Sequence, residues 1–324
     1  MSLEQTIGED QINVHQIVED LRAHNAQRYW ADLLGCATVF WGVVLLGCQD
    51  LHWIPVALTV GTLSLYRMAL FTHEISHFKT GVLPGFEAAW NILCGIPVLL
   101  PSFMLKSHVD HHARRSYGTP ADPEYLPFSS HPQLRKHFLL GAVLVPVALV
   151  IRSLVMVPLA WVIPRRRAHL YECMTFMSMN RAYRPGPAQR LTLADTVTEV
   201  SASLWGWGLL VASAAGVVTW RFAVLLLACA TFANLINGWR TLQAHRYISQ
   251  GQPMDARAQL LDSTTFCAYW LWGELLCPLG QRFHAAHHLL PYLPYHALPE
   301  AHRRLGSTDW PDRNVYLATQ SKPH

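Results

Sequence analysis

Charge is what this sequence has least of. Asp, Glu, Lys and Arg make up 14% of its 324 residues, while 51% are apolar. Soluble domains carry about 25% charged residues, so an ordinary water-solvated domain is excluded and an integral membrane protein is indicated. The net charge of +4 is too mild to call for nucleic acid, and no such partner is expected. The seven cysteines, at 36, 48, 94, 173, 229, 267 and 277, form no C-x-x-C pair, which leaves no zinc ribbon or iron–sulfur pattern. Most lie in apolar stretches, where a free thiol behaves as a small hydrophobe. A disulfide framework is therefore not expected, and a reduced, cytosolic face is. The opening MSLEQTIGEDQINVHQ lacks the basic and apolar regions of a signal peptide, so the apolar segments are expected to be permanent anchors. There is no internal repeat and no low-complexity tract.

Apolar runs and histidines are what the chain does have. Residues 33–48 and 54–72 are two apolar runs joined by the short link QDLHW. Each is near the ~20 residues that span hydrocarbon, so they read as a helical hairpin. Residues 203–217 and 222–236, joined around Thr219, Trp220 and Arg221, read as a second. Two further apolar stretches are less regular. Residues 88–104 carry Pro97 and Pro101, and 138–163 carry Pro146, Arg152 and Pro158. Because proline and a central arginine suit a simple span poorly, both stretches are expected to lie along the interface or to turn back, the longer one near Arg152. The polar segment 1–30 spaces Ile12, Val14, Ile17, Val18 and Leu21 as one helical stripe. Basic residues gather in the loops, Arg165, Arg166 and Arg167 in one, Arg114, Arg115, Arg135 and Lys136 in another. These loops are placed in the cytoplasm by the positive-inside rule.

Three of the histidine groupings stand out among 18 histidines: HEISH (His73, His77), HVDHH (His108, His111, His112) and HAAHH (His284, His287, His288). On a helix, positions i, i+3 and i+4 share a face, so each cluster aims its imidazoles at one point. At this histidine frequency an H-x-x-H-H match arises by chance roughly 0.05 times per chain, and there are two. Imidazole suits iron, zinc, copper or nickel. Eight ligands are too many for one tetrahedral ion and enough for two. Such a neutral ligand set needs nearby carboxylates to orient the rings and offset the charge, for which Glu74, Asp110, Asp195, Asp262 and Glu274 are the candidates.

HEISH, HVDHH and HAAHH, with HHARRSYGTPADPEY and HHLLPYLPYHALPEAH around them, resemble the three histidine boxes of membrane fatty acid desaturases of bacterial type. That superfamily also holds alkyl hydroxylases, carotenoid-modifying enzymes and alkene-forming decarboxylases. The resemblance covers about residues 30–305 of a single domain, with 1–30 as a polar lead and 306–324 as a tail. It implies an all-α membrane fold, with four transmembrane helices in two hairpins, interfacial helices and a cytoplasmic helical cap carrying the boxes. It also implies two iron ions with O₂ as co-substrate, and one more ligand between the last span and the third box, which falls on His245 in RTLQAHRY. The implied ligand set is His73, His77, His108, His111, His112, His245, His284, His287 and His288. Where acyl-CoA desaturases often place Asn four residues before that histidine, this chain has Thr241, which weakens the likeness to that subgroup.

What the resemblance implies chemically is O₂-dependent oxidation of a fatty acyl or alkyl chain in the lipid membrane. Desaturation is the expected outcome, with hydroxylation or oxidative decarboxylation as the alternatives on the same scaffold. A metal-binding or transport protein is a remote third reading, because transporters place their ligands near the bilayer midplane. With no haem-binding extension and no cysteine cluster, the two electrons per turnover must come from a separate donor, ferredoxin- or rubredoxin-like with its reductase. The basic loops 164–167 and 302–304 are candidate docking points. Trp205, Trp207, Trp239, Trp270 and Trp272 are expected in an interfacial belt or along an alkyl tunnel.

Overall fold

The computed structural model describes residues 13–163, 165, 167, 174–186, 190–266 and 270–320. Among them the structure is helical, without strands beyond two isolated bridges. The chain divides into two compact units, residues 25–242 with 247–253, and residues 1–24, 243–246 and 254–324.

The first hairpin opens the larger unit. Asn25 caps the helix Ala26–Gln49 by accepting from Arg28 N. Asp50 then ends it and accepts from His52 N, so the chain reverses within a few residues. The two arms touch where side chains are smallest: a Cβ on Gly47 would lie 3.2 Å from Ala57 Cβ, and one on Gly61 would lie 3.2 Å from Val43. Small residues at a helix contact allow this approach in lipid. Arg67 donates to Asp32 of the facing arm at 2.8 Å, which neutralises a charge within the second run.

The segment after this hairpin turns back on itself. The helix Phe86–Trp90 runs into a π-helical turn, Asn91–Gly95, and a 3₁₀ turn follows at Ser102–Leu105. Buried Asn91 donates to Ser102 Oγ at 2.8 Å and accepts from Ser102 N at 2.9 Å. That reciprocal pair brings the two ends of the proline-bearing stretch together.

The stretch 138–163 does not reverse near Arg152. It belongs to one continuous helix, Gln133–Val162, with Pro146 inside it and a π-helical turn at Arg152–Met156. The expectation of a turn rested on prolines and a central arginine, which suit a simple span poorly. Arg152 is 3% exposed, and its guanidinium meets Glu199 in an ion pair and Met174 O at 2.6 Å. A buried charge is tolerable when it is paired and hydrogen-bonded in this way. The opposite face, Leu140, Leu144, Val147, Ile151, Val155, Leu159 and Val162, is exposed, an apolar stripe suited to lipid.

The helix Leu193–Ala214 starts with a capping box between Thr192 and Asp195, and Trp220–Ala244 follows after residues 215–219. The 133–162 helix reaches both: Ser203 Oγ donates to Ser153 O, and Asn234 donates to Ala142 O. Among the described residues four helices are long and apolar enough to cross a membrane, namely Ala26–Gln49, Leu51–His77, Gln133–Val162 and Trp220–Ala244. The set differs from the expected one in one member, since Asp195 and Glu199 make 193–214 more polar than the run 203–217 alone. The chain is an all-α integral membrane protein.

The smaller unit has its own core. Ile17, Val18, Leu260, Leu290, Leu298, Leu305 and Tyr316 pack together in it. The short helix Val14–Ile17, held by a capping box between Asn13 and Gln16, delivers Ile17 and Val18 to that core; Ile12 lies outside the described residues. Arg304 joins Asp20 at 2.6 Å and Glu300 at 2.8 Å, tying the N-terminal segment to the helix Leu298–Ser307. Cys36, Cys48, Cys94, Cys229 and Cys277 are free thiols, and Cys173 and Cys267 lie outside the described residues.

Candidate metal centre

Each histidine box is carried by a short helix, which turns sequence spacing into convergence. Leu70 interrupts the second arm of the hairpin, and Phe71–His77 restarts as a separate turn that aims His73 and His77 from one face. HVDHH forms the helix His108–His112, and HAAHH opens the helix His284–Leu289.

In the larger unit one ring nitrogen each of His73, His77, His108 and His112 lies within 4.8 Å of the others. His112 Nε2 and His108 Nε2 face each other at 2.9 Å. In the smaller unit the same bound holds for His245, His284 and His288. There His284 Nε2 lies 2.9 Å from His245 Nε2 and 3.0 Å from His288 Nε2. A neutral imidazole nitrogen is either one donor or one acceptor, so hydrogen bonding alone does not account for three Nε2 atoms facing one another. Two nitrogens that sit about 2.1 Å from one ion at right angles lie about 3.0 Å apart. The donor set therefore fits bound metal, and its softness suits a first-row transition ion.

Carboxylates back several of the rings. Asp122, fully buried, accepts from His111 Nδ1 at 2.9 Å. Glu124 accepts from His108 Nδ1 at 2.7 Å. Burial alone pushes the Glu124 carboxyl up. The charge and hydrogen bond of His108, with His111 and Arg240 beyond it, outweigh that and hold it at about 2. A carboxylate on Nδ1 keeps the proton there and leaves Nε2 as the ligand atom. Tyr117 stacks on the His111 ring at 5.3 Å, which fixes its plane further.

The expected carboxylates divide. Glu74 stands 3.8 Å from His73 Nδ1 and accepts from Tyr29 Oη at 2.5 Å. Asp262 stands 3.6 Å from His245 Nδ1. Asp110 instead takes the Tyr183 hydroxyl at 2.8 Å. Asp195 takes Lys106 at 2.5 Å and closes its own capping box. Glu274 is half-buried in the helix Trp270–Leu276. The sequence reading missed Asp122 and Glu124, although both stand in the stretch PADPEY that follows the second box. Of the tryptophans, Trp205 donates to Pro97 O and Trp207 to Leu154 O, while Trp272 is exposed; the side chain of Trp270 lies outside the described residues.

The profile of the fatty acid desaturase family matches residues 51–320. The chain belongs to that family. It is also similar to a ceramide hydroxylase of Caulobacter vibrioides (strain NA1000 / CB15N), with 36% identity over 296 residues, covering 89% of this chain and 84% of the relative. Family and relative together make it an oxidoreductase acting on lipid, and each histidine group is able to hold a metal ion.

Proposed function

We propose that this chain hydroxylates the long hydrocarbon chain of a ceramide-type lipid, using O₂ and two iron ions. The observation that carries the reading is the 36% identity to a ceramide hydroxylase along 89% of the chain, set on a histidine arrangement fit for metal. His73, His77, His108 and His112 would hold one ion, and His245, His284 and His288 would contribute to a second. His111 and His287 complete the set of nine. Bound iron would supply the activation of O₂ and the power to attack an unactivated C–H bond.

The chain's own residues prepare this chemistry. Asp122 and Glu124 keep the proton on Nδ1 of His111 and His108, so that Nε2 offers its lone pair. Tyr29, hydrogen-bonded to Glu74, orients the carboxylate beside His73. The membrane helices deliver a lipid substrate that need not leave the bilayer. The overall reaction is R–H + O₂ + 2 e⁻ + 2 H⁺ → R–OH + H₂O, and the electrons come from an external carrier. The positive-inside rule applied to the basic loops supports a site on the cytoplasmic side of a bacterial inner membrane.

Membership of the fatty acid desaturase family supports a second reading, desaturation of an acyl chain. It consumes the same O₂ and the same two electrons but releases two waters and leaves an alkene. Mass spectrometry separates the two. Iron-loaded protein in lipid nanodiscs would be given a long-chain ceramide, a ferredoxin system and oxygen-18 gas. A product heavier by one oxygen-18 atom supports hydroxylation. A product lighter by two hydrogens hands the function to desaturation. No product from any long-chain lipid would end the lipid-oxidation reading.

A further inference from the structure

We propose that the surface beside the second histidine box, formed by Arg114, Arg115, Arg181 and Arg184, docks an acidic one-electron carrier protein. The inference rests on the proposed hydroxylation and deepens it by naming the partner and its place. The two electrons of each turnover come from the reduced carrier, which is oxidised one electron at a time.

Two stretches of chain build the surface, and they are pinned together. Asn180 donates to Pro120 O at 3.1 Å and to Asp122 O at 2.9 Å. Ser178 Oγ donates to Pro123 O at 2.8 Å, and Tyr183 Oη donates to Asp110 at 2.8 Å. The strap 178–184 thus lies directly on the box and on the loop that carries Asp122 and Glu124. All four arginines are exposed. Arg114 and Arg115 follow His112 within three residues, and Arg181 and Arg184 flank Tyr183. Arg184 Nη1 donates to the carbonyls of Arg181 and Tyr183, both at 2.8 Å. The acidic groups packed beneath, Asp110, Asp122 and Glu124, are turned to Tyr183, His111 and His108.

The basic loop 302–304 differs. Arg303 and Arg304 are held by Glu300, and Arg304 also by Asp20, so their charge is largely answered within the chain. The surface at the second box combines exposed arginines with direct attachment to the helix that carries His108, His111 and His112. Complementary charge steers an acidic partner to such a surface and sets its orientation.

The test uses an acidic plant-type ferredoxin with its reductase and the full chain in detergent. The variant Arg115→Gln, Arg181→Gln is compared with Arg257→Gln, Arg303→Gln, which loses the same charge at exposed arginines paired with Asp312 and Glu300. Direct binding is measured on protein with and without metal, and KM for ferredoxin is measured separately from kcat. The patch variant should bind ferredoxin about tenfold more weakly and raise KM by about the same factor, with kcat at saturating ferredoxin and dithionite-driven turnover unchanged. Raising the salt to shorten the screening length should weaken the parent far more than the variant. The control pair should behave as the parent. Should the double variant fail to fold, Arg115→Gln alone is expected to give a smaller rise in KM. An unchanged KM with dithionite-driven product present would overturn the docking site and leave the hydroxylation reading standing. Unchanged ferredoxin binding with lost thermal stabilisation by phosphatidylglycerol would make the patch a lipid contact instead. Absence of product even with dithionite would count against hydroxylation itself, while the binding comparison still decides the patch.

Discussion

The two histidine groups differ in how their rings are held. In the larger unit His108 and His111 each donate to a carboxylate at 2.7–2.9 Å, and Tyr117 stacks on His111. In the smaller unit the carboxylate nearest His245 stands 3.6 Å from Nδ1, beyond a good hydrogen bond. Asp122 and Glu124 thus hold their rings at closer range than Asp262 stands from His245. Hydrogen-bonded carboxylates raise ligand basicity and lock the tautomer, so losing Asp122 or Glu124 is expected to cost more metal affinity than losing Asp262.

Removing ligands from either group should have the largest effect. His108→Ala with His112→Ala, or His284→Ala with His288→Ala, should abolish product formation, each checked by mass spectrometry of the lipid product. Equal residual activity to the parent in either variant would remove that group from the site. Next comes the tightly held carboxylate: Asp122→Asn should lower metal affinity by about 10- to 100-fold, measured by competition with a chelator. Asp262→Asn should cost less, under about tenfold, because its contact is longer. The comparison breaks if Asp262→Asn proves the costlier of the two. The smallest effect on metal should come from Arg152→Met. That change strands Glu199 in apolar surroundings and should lower stability by about 3–5 kcal/mol, read as a lower unfolding temperature in detergent, while metal content per folded chain stays at the parent level.

Much of this was legible in the sequence because local spacing decides it. H-x-x-H-H places its rings on one helical face whatever the rest of the chain does, and each box is indeed a short helix. His245 was found through the resemblance, and the structure groups it with His284 and His288. The carboxylates were harder. Glu74 and Asp262 came close to rings, but Asp110 and Asp195 were drawn away by Tyr183 and Lys106. Asp122 and Glu124 reach their histidines from 11 and 16 residues away, across a loop whose return path no periodicity encodes. The continuity of the 133–162 helix was hidden for the same reason. Arg152 argued against it until Glu199, 47 residues later, was seen to answer the charge.

The most direct test of the central claim is the metal itself. Protein purified from iron-supplemented cells would be analysed for bound elements beside the variant His111→Ala, His287→Ala. The account predicts close to two irons per chain in the parent and a large loss in the variant. A single zinc, or iron that the substitutions leave untouched, would contradict the metal-centre assignment and the oxidation built on it.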